Sequence, residues 1–324
     1  RVSSQTVYDS KVECLILSHS VDYSTDLICF ELKKRGVNYL RLNRDSFADY
    51  KIQIDVSYNS LFVSLDGSHN YYVDQNTLKS IYFRAPVFLR TNKKFTLDEQ
   101  VYRSQWSSFL RNLIIFDKAT WLNHPVSIYR AENKIFQLKE ALSVGLNIPK
   151  TIISNFPPKE NIFNYNEIAV KSLDTALFHS DDEEFFVYTS AISRNEITEE
   201  SLKLAPVIMQ EFLDKKIDIR ITAIGETLYP VKVLSHGNGI SGDWRREKKE
   251  NLEYVPFDLP GDIQDKLLRL MANLDLSFGG IDLMLSDNKY YFVEVNPTGE
   301  WGWLTRTSNI PIDKAIVDFL CREN

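Results

Sequence analysis

Apolar positions recur along the chain in two rhythms, one of period two and one near 3.6, and their alternation predicts an α/β protein. Residues 12–17 form a short apolar run. Residues 22–35 carry Leu27, Ile28, Phe30 and Leu32 at helical spacing, and Gly36 stands where a C-cap belongs. Strands are expected over 38–42 and 80–84, the second ended by Pro86. Period-two alternation marks Ile52, Ile54 and Val56, then Leu61, Val63 and Leu65, followed by an Asp66-Gly67 turn. Thr96 to Glu99 fits a capping box, and the helix behind it shows a broad stripe of Val101, Tyr102, Trp106, Phe109, Leu110, Leu113 and Ile114. Residues 1–121 therefore read as an N-terminal α/β lobe.

A second lobe, 122–206, begins near Leu122-Asn123-His124-Pro125. It is expected to hold a helix over 131–144 ended by Gly145, and strands over 148–154, 168–171 and 185–192. The third, 207–324, opens with the apolar strand 207–209. It continues with a hairpin of 219–224 and 228–233 across Gly225-Glu226, and helices over 262–274 and 311–321 whose apolar faces read as core supports. A second hairpin is expected from strands 281–285 and 290–295, turning at Ser286 to Lys289.

Composition sets the limits of this picture. The 324 residues are 44% hydrophobic, enough for two or three packed lobes, because single cores stop growing beyond about 250–300 residues. A net charge of −6 argues against nucleic-acid binding through bulk electrostatics. The apolar runs are too short to span a membrane, and residues 1–11 lack the apolar core of a signal peptide. Cys14, Cys29 and Cys321 are scattered and follow no zinc or disulfide spacing, so a reducing cytoplasm is the expected compartment.

Chemistry concentrates in the second hairpin, GGIDLMLSDNKYYFVEVNPTGEWGW. Asp282 interrupts one apolar strand, and Glu294 and Asn296 share one side of the other. Paired strands would gather two carboxylates and an amide oxygen, a donor set suited to Mg²⁺. A solvated strand face is the plainer alternative for an isolated Asp–Glu pair. Lys171 ends an apolar strand, where an ammonium needs an anionic partner such as phosphate. Asp218 and Arg220 could equally be a surface i, i+2 pair of little energetic weight. Arg84, at a strand end, fits an anionic contact or a surface position.

Asp282 followed about a dozen residues later by Glu294-Val295-Asn296-Pro297 and then Gly299 resembles the metal signature of the ATP-grasp ligases. Further matches are the Tyr-Phe-Arg strand at 82–84, NK-x-x-QL at 133–138, QEFL at 210–213, DIRITAIG at 218–225 and the Asp243-Trp244-Arg245 triplet. Together they are most similar to the graspetide (microviridin-type) maturases, and they cover most of the chain.

The resemblance implies an ATP-grasp fold with an N-terminal pre-grasp lobe, a central lobe and a C-terminal lobe. It implies ATP held with its phosphates on Lys134 and Lys171, its adenine at Gln210, Glu211, Phe212 and Leu213, and its ribose at Asp218. Two Mg²⁺ ions would sit on Asp282, Glu294 and Asn296. Arg220, Arg245 and Asp243 would make up the catalytic set, with Arg220 also in reach of phosphate. The implied reaction phosphorylates an Asp or Glu side chain of a ribosomal precursor peptide, leader plus core, and closes an ω-ester or ω-amide to Ser, Thr or Lys. A homodimer is implied as well.

Two departures stand out. Relatives that join free amino acids often carry an Arg two residues before the first metal Asp; here that position is Gly280, and Arg245 is expected to supply the cation. The 172–184 loop has no Gly, so it either closes through Ser172, Thr175 or His179 or serves peptide binding. The alternatives to a peptide maturase are a ligase adding free amino acids to a small carboxylate or protein tail, and a non-catalytic nucleotide-dependent peptide-binding module.

Overall fold

The computed structural model describes residues 10–84, 95–159, 162–163, 166–174, 177–180, 183–186 and 189–322. Four parallel strands form the first sheet, in the order Tyr39–Asn43, Cys14–Ser18, Ser80–Phe83 and Thr120–Leu122. One face packs on the Tyr23–Lys34 helix, which starts at Asp22, whose carboxylate accepts from the Thr25 N–H. The other face shares its core with a second sheet made of Ser10–Lys11, His69–Asp74, Ser60–Leu65 and Tyr50–Asp55. The expected capping box is present at Thr96, and the Leu97–Asn112 helix follows it. Its apolar stripe is only partly used: Leu110 and Leu113 are buried, whereas Val101, Tyr102 and Ile114 are exposed.

The next sheet is antiparallel, in the order Ser190–Ser193, Glu167–Lys171, Val207–Glu211 and Thr151–Ser154. The strand read from sequence as the opening of the third lobe thus hydrogen-bonds within the sheet that carries Lys171. Residues 172–184 are not one plain loop. Leu177–Ser180 and Glu183–Phe186 pair as a hairpin, and the strand that returns along Glu167–Lys171 is Ser190–Ser193. Thr175 and the side chain of His179 lie outside the described residues.

Five antiparallel strands make the last large sheet: Leu252–Pro256, Thr227–Ser235, Ile217–Ile224, Phe278–Ser286 and Lys289–Asn296. Ile219, Ile221, Ile281, Leu283, Phe292 and Val295 face a core filled by the helices Lys134–Ser143 and Gly261–Asn273. The end of this sheet, through Ile224, Val231 and Phe278, shares a core with the parallel sheet, Trp301 and the Ile312–Leu320 helix. Among the described residues, no helix is long and apolar enough to cross a membrane.

Candidate active site

The Phe278–Ser286 and Lys289–Asn296 strands turn through Asp287 and Asn288, both left-handed (φ 47° and 58°), as a two-residue hairpin turn requires. Glu294 stands directly across from Asp282, and on its other side Asp282 stands across from Arg220. Three neighbouring strands therefore carry a straight ladder, Arg220–Asp282–Glu294. A bulge makes this possible. Asp282 pairs with Glu294 but Leu283 pairs with Phe292, leaving Val293 as the extra residue. Unbroken alternation would put Phe292 and Glu294 on one face. With the bulge, Phe292 and Val295 both enter the core, and Glu294 and Asn296 are freed for the opposite side.

Cations surround the two carboxylates. Arg220 Nη1 donates to Asp282 Oδ1 at 2.9 Å. Arg245 Nη2 lies 4.0 Å from Asp282 Oδ2 and 3.9 Å from Glu294 Oε1, bridging the pair from outside. Lys134, first residue of its helix, brings Nζ to 3.4 Å from Glu294 Oε2. Burial opposes ionisation of Glu294, but Lys134, Arg245 and Lys171 outweigh it and hold its pKa below the ordinary glutamate value. Lys171 is half-buried; desolvation of its ammonium is the largest influence and lowers its pKa to about 8, with Glu294 pulling the other way.

Asp243 serves Arg245. Its Oδ1 accepts from the Arg245 N–H at 3.1 Å and lies 3.5 Å from Arg245 Nε. Among the described residues its Oδ2 is buried without a hydrogen-bond partner, as is Nε of Arg220. Each is an unpaired polar atom of the kind a bound ligand can satisfy. Facing carboxylates and a neighbouring amide oxygen are hard oxygen donors of the kind Mg²⁺ takes, whereas the Arg245 guanidinium near both carboxylates is a competing positive charge that a bound cation would have to displace. Asn296 pairs with Gly280, one step beyond the ladder, and its Oδ1 accepts from the Thr298 N–H at 3.0 Å.

At Gly280 the structure adds a residue to the sequence reading. The Arg220 guanidinium lies over this glycine: a Cβ there would meet Arg220 Nη2 at 2.3 Å and Cζ at 2.6 Å. A cation over this glycine comes from the adjacent strand, and Arg245 stands beside the same carboxylates. Gly299 is confined in the same way, 2.8 Å from Arg220 Nη2 for a built Cβ.

Asp218 shares the face of Arg220, two residues earlier. It is paired with Lys216, whose ammonium also donates to the Ile240 carbonyl. Burial dominates and raises the Asp218 pKa to about 6, against the pull of Lys216 and with Asp282 and Asp243 adding to the rise. The Gln210 side chain is buried and donates to Thr151 Oγ1 at 2.9 Å, and the Glu211 N–H is taken by the Lys150 carbonyl. Phe212 and Leu213 follow in the half-buried link between this strand and Ile217–Ile224. Arg84 is neither on the surface nor free for a ligand. It is buried, pairs with Asp22 at 3.2 Å and Glu300 at 2.9 Å, and donates to the Thr298 and Gly299 carbonyls.

Sequence reasoning missed two buried amides. Gln137 binds the Val295 backbone, and Asn123 donates to the Phe278 and Pro297 carbonyls while accepting from the Ser277 and Phe278 N–H groups. Gln137 lies three residues after Lys134 on the same helix face, which was a usable signal. Asn123, in a segment read as a lobe boundary, offered none.

Residues 187–320 match the family described as RimK-like ATP-grasp domain. Over 96% of this chain and 99% of the other, the structure is similar to the macrocyclase MdnC of Microcystis aeruginosa bound to precursor peptide MdnA, with 24% identity and a TM-score of 0.80. It is equally similar to a RiPP-associated ATP-grasp ligase of Chryseobacterium gregarium in complex with ADP and a leader and core peptide. That likeness covers 96% of both chains at 23% identity and a TM-score of 0.81. By sequence, coenzyme γ-F420-2:α-L-glutamate ligase of Methanococcus maripaludis is 25% identical over 222 residues, 62% of this chain and 70% of that protein. The fold is the ATP-grasp fold, and residues 187–320 are similar to the RimK-like ATP-grasp domain.

Proposed function

We propose that this protein is an ATP-dependent ligase that forms side-chain ester or amide crosslinks in a ribosomal precursor peptide. The observation that carries the reading is the Asp282–Glu294 pair ringed by Arg220, Arg245, Lys134 and Lys171. The peptide substrate is supported by the likeness, over 96% of the chain, to a macrocyclase bound to a precursor peptide and to a RiPP-associated ligase bound to a leader and core peptide. In this proposal the chain divides at 121 and 206 into the three lobes read from the sequence. ATP lies over the ladder, with its adenine along Gln210–Leu213, its ribose at Asp218 and its phosphates on Lys134 and Lys171. Asp282, Glu294 and Asn296 hold Mg²⁺, two ions in number. When bound, the metal neutralises phosphate charge and aligns the γ-phosphoryl group.

The protein's own part is positioning and charge. Lys134 and Lys171 draw the triphosphate tail to the carboxylate ladder. Arg220, lying over Gly280 and Gly299, orients the incoming Asp or Glu carboxylate, whose oxygen attacks the γ-phosphorus as the bond to ADP breaks. Arg245, held by Asp243, steadies the resulting acyl phosphate. A Ser or Thr hydroxyl, or a Lys amine, of the same peptide then attacks the acyl carbon. Phosphate leaves with the bonding electrons, and the nucleophile's proton passes to it or to water. Two copies associate, in a cytoplasmic setting.

The test combines the protein with ATP, Mg²⁺ and a Thr- and Glu-rich peptide encoded beside its gene. The peptide is expected to lose the mass of one water per bond as ADP forms, and Glu294→Gln to slow this by about 10²-fold or more. Nucleotide binding with unchanged peptide mass would favour a binding module. The glutamate ligase relative favours a second reading, addition of a free amino acid to a small carboxylate. Arg220 already supplies a cation over Gly280, so the missing Arg at 280 does not separate the two; a mass gain on a small acid would.

A further inference from the structure

Among the described residues the Lys289–Asn296 strand is the edge of its sheet, and beyond a single bridge from Asn147 to Tyr291 one side of its backbone has no neighbouring strand. At Val295, between the two proposed metal ligands Glu294 and Asn296, that side is occupied by one side chain. Gln137 Oε1 accepts from the Val295 N–H at 2.9 Å, and its Nε2 donates to the Val295 carbonyl at 2.8 Å. The same Nε2 donates to the Ala131 carbonyl, which ties the amide to the turn before its own helix. Gln137 is 3% exposed, and its amide imitates the peptide group of a missing strand. Three residues earlier, the same helix presents Lys134 to Glu294.

The hairpin needs this support where it receives it. The bulge at Val293 interrupts pairing just before Glu294, leaving three paired positions between it and the strand's end: Glu294, Val295 and Asn296. A tilt of the Val295 peptide would swing Glu294 and Asn296 together, away from Asp282. We infer that Gln137 is a positioning residue that fixes the orientation of Glu294 and Asn296 relative to Asp282 and so sets the affinity of the site for divalent metal. This rests on the proposed metal role of Asp282, Glu294 and Asn296. The role is separate from nucleotide contact, since both of the amide's ends are spent on backbone.

The test measures Mn²⁺ binding to the ADP complex by electron paramagnetic resonance, beside ADP binding without metal and the melting temperature. Gln137→Met is expected to weaken Mn²⁺ by about 10–100-fold, the range for residues that orient ligands, with metal-free ADP affinity within about threefold of the unchanged protein. Ser127→Ala, which removes a 2.6 Å hydrogen bond to Asp275 elsewhere, is expected to lower stability alone. If Gln137→Met does not fold, Gln137→Glu, which keeps an acceptor for the Val295 N–H, is read in the same way. Mn²⁺ affinity unchanged in the folded variant while Glu294→Gln loses it would overturn the inference. Unchanged affinity in Glu294→Gln as well would overturn the metal site itself.

Discussion

Lys171 carries the clearest single-residue consequence. Its ammonium gives up its proton near pH 8, so nucleotide phosphates should bind best below that value and weaken as pH rises through it. Lys171→Arg, which stays charged, should remove the inflection from a pH titration of ADP affinity. The unliganded protein should behave in the opposite sense. The unfolded chain keeps this proton to about 10.4, so this group adds stability as pH climbs from about 8 toward that value. Gly280 teaches a related lesson. What looked like a lost cation is a space kept empty so that Arg220, from the next strand, can lie across it.

Between elements, the Pro297–Glu300 segment is held to the first sheet by Arg84 as well as to its own hairpin at Asn296. Arg84 also neutralises Asp22, the cap of the Tyr23–Lys34 helix. Burial opposes ionisation of Asp22, but Arg84 and hydrogen bonds from Ser18 and Thr25 bring its pKa to about 2. Arg84→Leu leaves that carboxylate buried and uncompensated, and should cost about 3–5 kcal/mol in urea unfolding. In the unchanged protein the Asp22 contribution is present above the unfolded value of about 3.9 and is lost as pH falls through about 2; in Arg84→Leu this acid-side loss should be much reduced. Asn123 and Gln137 do the same work within the hairpin, each satisfying backbone groups that no neighbouring strand among the described residues reaches.

For the whole molecule, the site joins residues from three separate sheets' surroundings: Lys171 from one, Arg220, Asp282 and Glu294 from another, and Arg84 bracing the loop beyond from the first. A ligand spanning them should stabilise the native state, by about 2.7 kcal/mol at a hundredfold excess over Kd. ADP with Mg²⁺ should therefore raise the melting temperature above ADP alone, and Asp282→Asn should abolish the difference. Much of this protein was determined by sequence alone. Period-two and 3.6-period patterns fixed the α/β class and most strands and helices, because burial of an apolar face demands those periods. Asp282 and Glu294 were legible because charges interrupting apolar strands are costly without a purpose. Only the tertiary structure decided which strand each element joins, as with Val207–Glu211, and which residue fills a neighbour's empty space, as with Arg220 over Gly280. It alone placed the bulge that turns Phe292 inward and Glu294 outward, and the buried amides that close the open edge of the hairpin. Such features depend on contacts between residues far apart in sequence, and local periodicity carries no record of them.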